Sequence, residues 1–245
     1  MEIFSTPIAE IDGFGAQYQK IITNFIVIVC KYGMDSLHYN PITRMEHNYE
    51  NSNDFIENIE NLINLRENIH LVEQNKKYTQ VAFTTICNEF ERNIDYYCQS
   101  VPMNFIKKCF WENKDRDVFK NNAINVAVHI RRPNIHDNRI EGTNTPDIYY
   151  INIMNIIREK YKNNEILFHI YSQGNKNQFI LFNNDNVVLH LNEDICKTFI
   201  EMVGADILIT SGSSLSYVAA LISDGEIYYK HFWHKPRKEW IICID

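Results

Sequence analysis

The chain lacks any apolar run long enough to cross a bilayer, any C-x-x-C pair, any H-E-x-x-H or H-x-x-x-H spacing, and any G-x-S-x-G. Each absence closes a class. The most apolar stretch, Phe25-Ile-Val-Ile-Val-Cys30, falls well short of the roughly 20 residues a membrane span needs. The six cysteines (Cys30, Cys87, Cys98, Cys109, Cys196 and Cys243) read as buried free thiols of a reducing compartment. The histidine spacings support no structural metal site, and without G-x-S-x-G there is no serine-hydrolase elbow. An excess of positive charge is missing too. At a net charge of −7, general nucleic-acid affinity is not expected. Repeats of 20–50 residues and low-complexity domains are also lacking. The opening Met1-Glu2-Ile3-Phe4 reads as a strand without a signal-peptide pattern, so a soluble, cytoplasmic protein is expected.

What is present is the make-up of a globular protein. Hydrophobic residues are 45% and charged residues 22% of 245, enough for one large or two modest domains. The first half reads as a short strand, a helix over about Ala16–Tyr32 stopped by Gly33, a strand at His38-Tyr39, and a helix over about Asp54–Asn68. Val81–Thr85 is expected to be a strand, with helices near Asn88–Cys98 and Pro102–Trp111. Apolar content drops over Glu112–Asn125, which places a boundary there and gives two domains, 1–118 and 119–245.

Beyond the boundary the pattern is regular. Strands are expected at Asn125–Ile130, Ile166–Tyr171, Val187–Leu191, Asp206–Thr210 and finally Glu226–Tyr229. They alternate with helices at Asp147–Lys162, Lys176–Phe182, Asp194–Gly204 and Ser213–Ser223. That is βαβ spacing, and it predicts a parallel sheet with helices on both faces.

Two motifs carry chemistry in that half. Val126-Ala-Val-His129-Ile-Arg131-Arg132 is a buried strand that ends in an imidazole and two guanidiniums. Arginine cannot lose its proton and needs an anion or water, and two adjacent forks suit a diphosphate. Carboxyl ends of strands in open α/β sheets are also where ligands bind. Asp206-Ile-Leu-Ile-Thr-Ser211-Gly-Ser213-Ser214 is a second strand entering a Ser/Gly turn and a helix, a place for phosphate; as a plain alternative, Ser213 caps the helix. The polar Arg132–Asp147 connection, longer than βα loops usually are, reads as functional.

In the first half, Gly13-Phe-Gly15-Ala-Gln17 lets a ligand approach the backbone closely or simply makes a tight turn. Met45-Glu-His47-Asn-Tyr49 could contact an acceptor sugar if it faces a cleft. Asp115-Arg-Asp117 is formally a D-x-D, but without a preceding apolar strand it reads as solvated linker.

His129-x-Arg131-Arg132 resembles the H-x-R-R-x-D motif of fucosyltransferases that use GDP-fucose. Gly13-x-Gly15-x-Gln17 resembles the glycine-rich opening of that family, and Ala205-Asp206-Ile-Leu-Ile-Thr-Ser211-Gly-Ser213-Ser214 its late strand–turn–helix. The three matches fall in the family's order. The resemblance implies a GT-B-like α/β fold, with two Rossmann-like parallel-sheet domains facing a cleft. It also implies an inverting glycosyltransferase with no cofactor and no metal, whose partners are a nucleotide-sugar donor and a glycan acceptor.

Carried over by position, Arg131 binds the β-phosphate and stabilises the leaving diphosphate, and His129 approaches the guanine. Arg132, Ser211, Ser213, Ser214, Gly13 and Gly15 complete the donor site. His47 and Tyr49 are the acceptor-side candidates. Asp137 and Glu141 in the long loop, or Asp12 beside the glycine turn, could serve as the base, and Asp137 is preferred. The chain departs from the family in having Pro133-Asn134 after the arginines. It also has Thr198 where some relatives hold guanine with an aspartate, with Asp194 as the alternative. A different nucleotide-sugar donor, or a non-catalytic nucleotide- or glycan-binding module, therefore stays open.

Overall fold

The computed structural model describes residues 2–8, 12–48, 52, 54–133 and 145–244. The chain divides into two compact units, Met1–Asp115 and Arg116–Asp245.

The first unit is built around α1 (Phe14–Tyr32), whose residues are buried on nearly every side from Phe14 to Ile28. Its polar Gln17, Gln19, Thr23 and Asn24 are buried along with its apolar residues, so the helix lies inside the core of the unit. It ends at Gly33, which adopts a φ of 89° and donates its N–H to the Val29 carbonyl at 2.9 Å; a side chain there would be strained. The helix connects β1 (Phe4–Ser5) to β2 (Leu37–His38), which pair in parallel. Single parallel bridges at Phe4–Thr79 and Tyr39–Leu71 extend this small sheet.

Then come α2 (Phe55–Ile63), α3 (Phe83–Arg92), α4 (Ile94–Cys98) and α5 (Val101–Trp111). The strand expected at Val81–Thr85 is not formed, because Phe83 already opens α3. The apolar residues there continue as Phe83, Ile86 and Phe90, a helical spacing that overrides the local β-branched run. The second helix stops early, at Asn64, which takes the left-handed conformation.

The second unit is an α/β layer structure on six parallel strands: β3 (Ile124–His129), β4 (Ile166–Ser172), β5 (Val187–Leu191), β6 (Ile207–Ile209), β7 (Glu226–Lys230) and β8 (Ile241–Cys243). Their order is β5-β4-β3-β6-β7-β8, every neighbouring pair parallel. Counted from the first strand of the unit this is 3-2-1-4-5-6, the doubly wound Rossmann order.

Helices α6 (Asp147–Lys160), α7 (Ile195–Gly204) and α8 (Ser214–Ile222) join the strands, with a 3₁₀ stretch over Lys176–Phe182. One sheet face (Val126, Val128, Phe168, Ile170, Ile207 and Ile209) packs on Tyr150, Ile153 and Ile157 of α6 and on Phe179 and Phe182. β8 is an additional strand beyond those expected. No helix among the described residues is long and apolar enough to cross a membrane.

Candidate functional site

The strand order reverses between β3 and β6. The chain leaves β3 toward one edge of the sheet and β6 toward the other, so the loops diverge at these carboxyl ends, where open α/β sheets bind ligands. The two motifs singled out above arrive at that place. His129, the last residue of β3, is 8% exposed, and its Nδ1 lies 2.9 Å from the Ser211 hydroxyl, 82 residues away. Burial, and then the Arg131 guanidinium, push the His129 pKa down to about 4, so at neutral pH the ring is uncharged.

The turn after β6 braces itself. The Ser213 N–H donates to the Ser211 carbonyl at 2.8 Å, the Ser211 N–H to the Ser216 hydroxyl at 3.1 Å, and that hydroxyl to the Ser213 carbonyl at 3.3 Å. The Ser213 hydroxyl accepts from Leu215 N–H at 3.3 Å, so it does cap α8. Ser211 is 1% exposed, whereas Ser213 and Ser214 are half-buried at the start of α8, where helix N–H groups favour an anion.

The two arginines divide in role. Arg132 forms an ion pair with Asp147, the first residue of α6, and its guanidinium lies 5.4 Å from the Phe179 ring centroid. Arg131 is half-buried beside the neutral His129. A further cation ends β7: Lys230, 9% exposed, holds its Nζ 4.4 Å from the centre of the Tyr149 ring, while its N–H donates to Thr210 Oγ1 at 2.9 Å. Its signal was the one that drew attention to His129: a polar residue closing an apolar strand, here Ile227-Tyr-Tyr229-Lys230.

The aspartate of the late motif lies elsewhere. Asp206 precedes β6 at the opposite, amino edge of the sheet, where Oδ2 accepts from the Asn125 N–H at 2.8 Å and its carbonyl from the Glu226 N–H at 2.9 Å. It ties three strands together. Asp194 caps α7, accepting from the Lys197 N–H at 2.9 Å, and Thr198 is half-buried on that helix.

In the first unit, Gly13 and His47 are neighbours. A Cβ on Gly13 would stand 2.8 Å from His47 Cδ2, so a larger residue there would have to displace the imidazole. His47 itself adopts a φ of 73°. Gln17 fastens the same loops, donating to the Asp12 and Arg44 carbonyls at 3.0 Å each, and Lys20 pairs with Asp12 at 3.3 Å. Gly15 is buried within α1. Asp137, Glu141 and Tyr49 lie outside the described residues.

Comparisons with protein-family models, with curated proteins and with solved structures find no match.

Proposed function

We propose that this chain is an inverting, metal-independent glycosyltransferase that moves fucose from GDP-fucose to a hydroxyl of a glycan acceptor, on two Rossmann-like domains of GT-B type. One observation carries the reading: His129-Ile-Arg131-Arg132 and Ser211-Gly-Ser213-Ser214 meet at the switch point of a 3-2-1-4-5-6 sheet, with His129 and Ser211 in hydrogen-bond contact.

In the reaction the acceptor oxygen bonds to the anomeric carbon, the bond from that carbon to the β-phosphate oxygen breaks, and the acceptor proton passes to a base, for which Asp137 is the candidate. Charge grows on the departing diphosphate. A guanidinium placed before the reaction stabilises it without reorganising. Arg131 takes that role by its place in the motif beside His129, and Arg132 pairs with Asp147. The neutral, buried imidazole of His129 anchors the Ser turn.

A second reading, the same site with another nucleotide-sugar donor, is favoured by α7. Position 198 offers a hydroxyl, and the Asp194 carboxylate is spent on capping. A non-catalytic binding module would bind the nucleotide without turnover.

The test is a thermal-shift series with GDP, UDP, ADP and TDP, with and without magnesium, followed by product analysis with GDP-fucose. At 100 times its Kd a ligand adds about 2.7 kcal/mol. A magnesium-independent shift selective for GDP is expected, and transfer follows. A shift with another base replaces the donor. Binding without product leaves the module, and no shift with any nucleotide overturns the assignment.

A further inference from the structure

The connector from β7 to β8 carries aromatic residues that the candidate site does not use. β7 and β8 are parallel, so residues 231–240 leave the carboxyl edge of the sheet, where the site lies, and return to its amino edge. They start at the margin of the site itself. The Lys230 N–H is bonded to Thr210 Oγ1, one residue before Ser211. Four residues on, the His234 ring stacks on Tyr217 with centroids 4.8 Å apart. Tyr217 belongs to the first turn of α8, the helix whose N-terminus favours an anion. Residues 231–233 therefore run from the end of β7 to the flank of that turn.

The segment is braced from below. The Tyr229 hydroxyl donates to the His234 carbonyl at 2.6 Å, and the Tyr217 hydroxyl to the Lys235 carbonyl at 3.1 Å. The buried Trp240 closes against both tyrosines, its ring 5.8 Å from that of Tyr217 and 5.3 Å from that of Tyr229. Phe232 joins the upper end, with its ring 5.5 Å from that of His234 and 4.8 Å from that of Trp233. On this base Trp233 stands out at 64% exposure, with Phe232 its one ring partner among the described residues. A single apolar side chain on a surface needs no explanation. An indole mounted on a braced turn at the ligand-binding edge of a Rossmann-order sheet is a different case. A flat π-face fixed in advance loses little conformational freedom when a second ring stacks on it.

We propose, resting on the nucleotide-site reading above, that Trp233 is the stacking platform for the nucleobase of the bound donor. The phosphates lie at the α8 N-terminus and Arg131, and the base lies on the indole. Every base has a π-face, so stacking supplies affinity without choosing among bases. That affinity does not depend on a carboxylate at position 198, where this chain has a threonine.

The chain carries its own probe. Its other two tryptophans, Trp111 and Trp240, are buried, so emission that responds to a stacked ligand belongs to Trp233. The test follows the fluorescence of the full chain, excited at the red edge of indole absorption, during titration with GDP, UDP, ADP, TDP, inorganic pyrophosphate and methyl α-L-fucoside. Calorimetry reports binding independently. The nucleotide that binds is expected to quench the emission, and pyrophosphate to bind without quenching. Trp233→Phe should abolish the signal and keep part of the affinity. Trp233→Ala should weaken the nucleotide about tenfold, as expected for loss of one base–aromatic stack, and leave the affinity for pyrophosphate unchanged. A connector that had merely loosened would weaken both ligands.

Nucleotide binding without quenching overturns the platform and leaves the nucleotide site standing. Quenching that persists in Trp233→Phe does the same, and so does an equal loss of nucleotide and pyrophosphate in Trp233→Ala. A response to the fucoside in place of the nucleotide overturns it too, because the indole then holds a sugar. If calorimetry finds no binding of any nucleotide, the donor-site reading fails and the platform fails with it.

Discussion

At the scale of single residues, adjacent arginines with the same formal charge do different work. Arg132 is committed to Asp147 and Phe179, and Arg131 stands beside an imidazole that its charge helps to keep neutral. Arg131→Ala should lower sugar transfer on the order of 10²–10³-fold. Arg132→Ala should reduce stability by freeing the start of α6. Steady-state rates and melting curves on both variants separate the two roles, and equal behaviour would remove the distinction. Ser211→Ala deprives a buried imidazole of its partner and should cost about 1–3 kcal/mol in denaturant titration; a neutral outcome would show that the pair does not hold the turn. Residue chemistry was legible early, since only side-chain identity was needed to see cations closing an apolar strand. That Arg132 pairs with Asp147 was not legible, because the two lie 15 residues apart in sequence.

Among the elements, the turn between α8 and β7 shows how closely the backbone is packed. A Cβ on Gly225 would stand 2.5 Å from the Ala205 carbonyl oxygen and 2.7 Å from that of Asp206. Those carbonyls belong to the entry of β6 and cannot swing away as a side chain could. Gly225→Ala should therefore destabilise by about 1–3 kcal/mol, read as a shift in denaturant midpoint; an unchanged midpoint would mean that β6 can retreat. Elements with a strong period were legible, such as α1 with its stop at Gly33 and the alternating strands of the second unit. Val81–Thr85 was misread because five residues are too few to separate a strand from the first turn of a helix. β8 was missed because Ile241-Ile-Cys243 is three residues long and becomes a strand only by pairing with β7.

For the whole molecule, stability should depend on acid. His129 and His169 are both buried and held at about 4, below the ordinary value near 6.5. The unfolded chain takes up protons at these rings before the folded chain does. Their contribution is complete above about pH 6.5 and is lost as pH falls toward 4, by roughly 3 kcal/mol for each ring. Unfolding free energies measured from pH 7 to pH 4 should fall accordingly, and His129→Gln should flatten part of the slope. A wild-type profile without that fall would mean that the rings are reached by water.

The sequence alone determined that the second half is an alternating α/β unit and that polar residues close two of its buried strands, because period and burial are local properties of a chain. It also marked Gly13, Arg131 and the Ser turn as unusual. Tertiary structure alone decided that His129 meets Ser211 and that Asp206 sits at the far edge from the arginines. Those outcomes depend on strand order. In a parallel sheet the order is set by which crossovers bury the most apolar surface, a property of all the strands together.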